Sequence, residues 1–235
     1  MATGIYYISI DHVTDNNIKK WQQYISEERR LRASEYLFWD DVKRCVMGEM
    51  LVLYALYDFF EMPPNKIEFE LLEYGKPVIK GANECQFSLS HSGKWVVCAV
   101  SSSLVGIDIE KKDERHTQIA KNYYTEYENN RIQMISDYEG RIEEFYKIWT
   151  LKESYMKITG LGMYKGTDTF EFHSEGGKEI LYENDGMSNG KYCFLSESMD
   201  EQYIMSLGYE SLETIVERKE LNENDVEKLV RRFFI

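Results

Sequence analysis

The sequence holds three prolines in 235 residues and no run rich in glycine and serine, so no stretch of it reads as a linker. Its wholly apolar runs, Trp95–Val100 among them, fall far short of the ~20 residues that span a bilayer. "MATGIYYISI" lacks a basic segment followed by a long apolar one, which argues against a secretory leader. Four histidines with no H-E-x-x-H pair do not supply a zinc site. Cys45, Cys85, Cys98 and Cys193 show no C-x-x-C spacing, and reduced thiols in a cytoplasmic protein are the expected state. The absence of G-x-x-x-x-G-K-[ST], G-x-G-x-x-G and G-x-S-x-G removes the common nucleotide loops and the hydrolase nucleophile elbow. Positive charge is scarce as well. Twenty-eight Lys and Arg against 41 Asp and Glu give a net −13, which excludes a broad basic surface for nucleic acid. A chain of this charge takes an anionic ligand only through a local group of cations or through a metal ion.

What is present is a globular composition, 43% hydrophobic and 14% aromatic. "GIYYISI" reads as a first strand, and Ile18, Trp21 and Ile25 fall at helical spacing. Val42, Cys45, Val46, Met50, Leu53 and Tyr57 predict a long helix over about 40–60, stopped by "MPPN". Phe87–His91, Trp95–Val100 and Val105–Glu110, separated by "SGK" and "SSS", read as a three-strand meander. In a meander the first and third strands run the same way, so His91 and Glu110 are expected at one sheet edge. Residues 119–138 read as a helix, and 141–160 as a second one closed by Gly160. Short strands follow in "TFEFH", "EILYE", "KYCFLSE" and "YIMSLGY". A last helix starts at Asn222 with Val226, Leu229, Val230 and Phe233 on one face. Each half has strands and a long helix, which predicts two similar α+β halves, residues 1–102 and 103–235.

The feature that most demands a chemical reason is "GIDIE", Gly106–Glu110. Val105, Ile107 and Ile109 alternate with Gly106, Asp108 and Glu110, so two acids share a strand face about 6.5 Å apart. Two carboxylates within about 6 Å repel by roughly 3 kcal/mol at an effective dielectric near 20. A hard divalent cation such as Mg²⁺, which takes oxygen ligands, would relieve that repulsion. A solvated edge face, with Lys111 and Lys112 as casual partners, is the plainer reading. On the 141–160 helix, Ile148, Leu151, Tyr155 and Ile158 form an apolar stripe, with Glu153 and Lys157 nearly opposite. These two read either as an exposed i,i+4 pair or as a third carboxylate and a phosphate-binding cation. Further phosphate candidates are Ser90 and His91 at a strand end, and Lys76 between Gly75 and Pro77. Arg29, Arg32, Lys43 and Arg44 add a local basic concentration, or else a solvated helix face.

Together, "YGKP" (Tyr74–Pro77), "FSLSHSGKW" (Phe87–Trp95), "GIDIE" and "WTLKESYMKITGLG" (Trp149–Gly162) resemble the pattern of the 4′-phosphopantetheinyl transferases. The chain is most similar to their long, surfactin-synthetase-activating (Sfp-type) class. The resemblance implies a pseudo-dimer of two α+β halves with the active site in the cleft between them. It implies Mg²⁺-dependent transfer of phosphopantetheine from coenzyme A to a serine of an apo acyl or peptidyl carrier protein, releasing 3′,5′-ADP. By position it implies Mg²⁺ on Asp108, Glu110 and Glu153, and the pyrophosphate on Lys157. Glu153 is then also the candidate base. Ser90, His91, Arg44 and Lys76 would hold the adenosine 3′-phosphate end, with Arg29 and Arg32 near it. Composition and resemblance together lead to a cytoplasmic monomer that partners coenzyme A and a carrier protein, with no nucleic acid and no membrane. Two readings compete: a Mg²⁺-dependent phosphohydrolase, which would release 3′,5′-ADP without a carrier, and a silent module that binds coenzyme A or a carrier.

Overall fold

The computed structural model describes residues 2–114, 123–183, 186–187, 190–210 and 215–235. By packing, Ala2–Glu70, Val78–Ser102 and Ile215–Ile235 form one unit, and Leu71–Pro77 with Ser103–Thr214 form another.

The first unit is built on β1 (Ala2–Ser9), β4 (Gln86–Ser92), β5 (Trp95–Ser101) and β12 (Ile215–Glu220), in the order β12-β1-β5-β4. All neighbours are antiparallel except β1 and β12. β5 is buried along its whole length, as an unbroken apolar run requires of a central strand. Helix α3 (Trp39–Phe60) lays Val42, Cys45, Val46, Met50 and Leu53 into the core, as its periodicity predicts. It stops where Glu61 turns left-handed (φ 56°) ahead of Met62 and Pro63. Ile18 and Trp21 of α1 (Asp15–Trp21) join this core, as do Val226, Leu229 and Val230 of α6 (Glu223–Phe233). α6 begins with a reciprocal capping box between Asn222 and Asp225. α2 (Glu27–Glu35) carries Arg29 and Arg32.

The second unit has its own 22-residue helix, α5 (Tyr138–Thr159), capped by the Asp137 side chain and closed by Gly160 at φ 73°. It lies on the antiparallel sheet β10-β11-β6, formed by β6 (Val105–Lys111), β10 (Tyr192–Asp200) and β11 (Tyr203–Glu210). β7 (Phe170–Glu175), β8 (Lys178–Glu183) and β9 (Gly186–Met187) form a further sheet. Short strands β2 (Phe69–Leu71) and β3 (Pro77–Ile79) flank the turn at Gly75, which takes φ 83°.

Three expectations are corrected. The meander ends after two strands, because β5 already has β4 on one edge and β1 on the other. β6 pairs with β11 instead, so His91 and Glu110 belong to different sheets. The half expected over 103–235 does not hold together as one body: β12 pairs with β1 and α6 packs in the first core, so 215–235 join the first unit. The helix expected over 119–138 is, among the described residues, α4 (Glu126–Gln133), which a capping box between Thr125 and Glu128 starts afresh; 119–122 lie outside the described residues.

α5 is buried around most of its girth. Beyond the stripe of Ile148, Leu151, Tyr155 and Ile158, the residues Thr150, Lys152, Ser154 and Met156 are also buried. Lys152, 1% exposed, spends its three ammonium protons on Glu128 (2.8 Å) and on the carbonyls of Thr167 and Phe170 (2.7 Å each). Glu128, itself inaccessible, also accepts from the backbone N–H groups of Thr125 and Phe172 (3.1 Å each). This fully satisfied pair ties α5 to α4 and β7. Deleting one member of such a pair costs about 3–5 kcal/mol.

On its other side α5 meets β6 at Gly106. A Cβ there would stand 2.0 Å from the Ser154 carbonyl oxygen and 2.9 Å from the Ile158 nitrogen. Only a residue without a side chain lets helix and strand approach this far. Gly106→Ala is therefore expected to destabilise the protein by about 1–3 kcal/mol, the range of overpacked cores. Gly48→Ala on α3 is the contrast, since its Cβ meets only the flexible tip of Leu89 at 3.1 Å. It also gains about 1 kcal/mol of helix propensity, so it should be neutral or stabilising. Urea unfolding of the two variants separates them; equal midpoints would contradict the close approach.

Candidate active site

The acids of β6 face the helix. Gly106 packs under Ser154 and Ile158, and Asp108 and Glu110 follow on the same strand face. The reading of a solvated acidic edge is thus overturned: Asp108 is 4% exposed. Lys157 Nζ donates to Asp108 Oδ1 at 2.7 Å and to the Ile107 carbonyl at 3.0 Å. Glu153, one turn earlier on α5, is half-buried. Its carboxyl is pushed up to about 7, first by burial and then by the charge of Asp108, with Lys157 pulling the other way. Glu110 is half-buried, and its charge adds to the burial that raises the Tyr146 phenol, also on α5. Glu153 and Lys157 do lie opposite the apolar stripe, but of their two readings the exposed i,i+4 pair does not hold, since both are half-buried. With α5 covered almost all round, these two residues take the side that looks onto the acids.

The donor set fits a hard cation in kind. Asp108 and Glu153 offer only oxygen, and burial, with the charge of Asp108 adding to it, holds the Glu153 proton to about 7. Glu110 lies two residues further along the same strand face. Among the described residues, no three Asp, Glu, His or Cys side chains converge as a complete ligand set. The structure brings Asp108, Glu153 and Lys157 together and leaves Glu110 beside them.

Lys76 belongs to the same unit. Its stem lies against Gly160, its Nζ donates to the Ile158 carbonyl at 3.2 Å, and burial pulls its ammonium down to about 8. The last carbonyls of a helix carry partial negative charge, so this is a favourable place for a cation. The remaining candidates lie in the first unit. Arg44 on α3 bonds the Gly93 carbonyl (2.6 Å) and pairs with Asp41, which braces it against the β4–β5 turn just after His91. His91 is exposed and Ser90 buried, since neighbours on a strand face opposite ways. Arg29 is half-buried; Arg32 is exposed, its Nε donating to the Tyr36 hydroxyl at 3.1 Å. Lys43 pairs with Asp15, which also accepts from the Trp39 indole, so its role is to join α1 and α3.

Sequence reasoning missed Lys152, the neighbour of Glu153, because the apolar stripe on α5 marks one side only of a helix buried around most of its girth. A signal for its partner was present in the Thr125-x-x-Glu128 spacing of a capping box.

The raised Glu153 carboxyl makes a pH prediction. The folded protein holds this proton to about 7, whereas the unfolded chain releases it near 4.5. More protons are bound in the folded state across that window, so this group's contribution to stability is present at low pH and lost as pH rises through it. Glu153→Gln removes the loss. In EDTA, the variant's Tm should match wild type at about pH 4 and exceed it at about pH 8. A difference independent of pH would contradict the burial of this carboxyl beside Asp108.

Comparison with known proteins gives matches along both parts of the chain. Residues 104–207 match the profile of the 4′-phosphopantetheinyl transferase superfamily, and residues 12–103 that of the 4′-phosphopantetheinyl transferase N-terminal region. The 4′-phosphopantetheinyl transferase Sfp of Bacillus subtilis (strain 168) is 31% identical over 175 residues, covering 73% of this chain and 78% of that protein. A second 4′-phosphopantetheinyl transferase from Bacillus subtilis is 32% identical over 185 residues, covering 78% and 81%. The 4′-phosphopantetheinyl transferase psf-1 of Bacillus pumilus is 33% identical over 184 residues, covering 75% and 78%.

Proposed function

Because the chain belongs to the 4′-phosphopantetheinyl transferase family, in its long Sfp-type class, we infer that it moves phosphopantetheine from coenzyme A onto a serine of an apo carrier protein, releasing 3′,5′-ADP. The observation that carries this reading is the acidic strand face roofed by α5, where Asp108, Glu153 and Lys157 meet. Asp108 and Glu153, with Glu110 as third ligand, would hold Mg²⁺. When bound, the ion withdraws charge from the phosphoryl oxygens.

The chain's own residues do the rest. Lys157 offsets the charge that develops on the leaving phosphate. Glu153, one turn before Lys157 and beside Asp108, would also be the base that takes the serine proton. Arg44, Ser90, His91 and Lys76 serve the adenosine 3′-phosphate end, with Arg29 and Arg32 near it. His91, exposed at the hairpin that Arg44 braces, reads the 3′-phosphate. A chain of net charge −13 thus accepts a polyanion through a few local cations and one metal ion. Among the described residues no helix is long and apolar enough to cross a membrane, and a cytoplasmic monomer is the working form in this reading.

Intact-mass measurement of an apo carrier incubated with the protein, Mg²⁺ and coenzyme A should show the addition of one phosphopantetheine. Release of 3′,5′-ADP without a carrier would favour a phosphohydrolase, and no mass gain across several carriers would overturn the transferase reading. Lys157→Ala should lower kcat by about 10²–10³, as loss of a charge-stabilising donor does, with a smaller change in KM for coenzyme A. An unchanged kcat with a raised KM would place Lys157 in ground-state binding.

A further inference from the structure

α2 carries Arg29 and Arg32 on nine residues, of which only Ala33 is buried. A helix this short is marginal alone and takes its stability from its neighbours. With so little apolar burial, something else must hold α2 in place. That holder is Glu49 of α3, a carboxylate only 5% exposed that no step of the proposed reaction uses. One of its oxygens accepts the Ser26 backbone N–H at 2.6 Å, and the other accepts the Ser26 hydroxyl at 2.7 Å. Ser26 is the N-cap of α2, and its Oγ accepts in turn from the Arg29 backbone N–H at 3.4 Å. One turn earlier on α3, the Cys45 thiol meets the Arg29 carbonyl at 3.6 Å.

Burying a carboxylate is costly unless it is bonded, and burial does raise this one while the Ser26 bonds oppose the rise. An apolar contact would hold a helix end at less cost. A carboxylate gripping one residue by two donors adds direction: it fixes where the first turn begins and how it is rotated. From this geometry we propose that Glu49 is a positioning residue for coenzyme A recognition. Through Ser26 it sets the first turn of α2, and with it the place where Arg29 and Arg32 meet the 3′-phosphate. The proposal rests on the reading that these two arginines serve that phosphate.

The test compares coenzyme A with 3′-dephospho-coenzyme A as phosphopantetheine donors, and reads the preference between them in kcat/KM. The set comprises wild type, Glu49→Gln, Ser26→Ala, their double variant, Arg29→Ala and Arg32→Ala, each checked by circular dichroism and Tm. Glu49→Gln and Ser26→Ala should each cut the preference about tenfold, the scale of one charged hydrogen bond. The double variant should cut it hardly further, because both act through one contact. A merely structural loosening would slow both donors alike and leave the preference intact. That result, with the arginine variants still selective, overturns the role of Glu49 and leaves the reading of α2 standing. Arginine variants without effect on the preference overturn the reading and the proposal together. If Glu49→Gln does not fold, Ser26→Ala decides the matter, since it removes the hydroxyl half of this link from the helix side while the Ser26 backbone N–H still bonds Glu49.

Discussion

The missing side chain at Gly106 is the constraint on which the second unit's chemistry depends. With the Ser154 carbonyl 2.0 Å from where a Cβ would stand, α5 rests on the backbone of β6. At that separation the acids that follow Gly106 look into the helix, and the helix residues that look back are Glu153 and Lys157. The strand alternation that puts Gly106, Asp108 and Glu110 on one face therefore does two jobs. It admits the helix at one position and offers it charge at the next.

Two ion pairs on adjacent turns of α5 show how differently the same chemistry can be used. Lys152 and Glu128 are sealed, and every donor of the ammonium is spent within the core. Such a pair contributes little net stability over an apolar contact, but it holds the rotation of α5 against α4 and β7. Lys157 and Asp108 are closer to water, with the lysine side chain 28% exposed. That pair can be exchanged for other partners at a lower cost. The buried lysine thus holds the helix, and the accessible one stays free to change partner. In a chain of net charge −13, the placement of a few cations matters more than their number.

Local pattern made much of this legible. The periodicity over 40–60 and 141–160 foretold α3 and α5, Gly160 and Asn222 marked a helix end and a helix start, and the "SGK" turn foretold the β4–β5 hairpin. What failed was the choice of partner between distant segments. β6 reads as the third strand of a meander until β1, from the far N-terminus, is seen to hold the open edge of β5. The same strand β1 draws β12 and the tail back into the first unit, and no feature near residue 215 announces it. At the site, Asp108, Glu110, Glu153 and Lys157 were legible because two acids on one strand face and a Glu–Lys pair on a helix each ask for a reason. Lys152 and Glu49 were not, because a buried charge looks like any surface charge until its neighbours are known.

The most direct test of the cation site under α5 is diffraction from crystals grown with coenzyme A and Mn²⁺ in place of Mg²⁺, using the anomalous signal to locate the metal. The account predicts one peak at about 2.1–2.2 Å from carboxylate oxygens of Asp108 and Glu153, as a hard octahedral ion requires. It also predicts that Lys157 will have left Asp108 for a phosphate oxygen. A peak held by other residues, or coenzyme A bound with no metal and the Lys157–Asp108 pair intact, would contradict it.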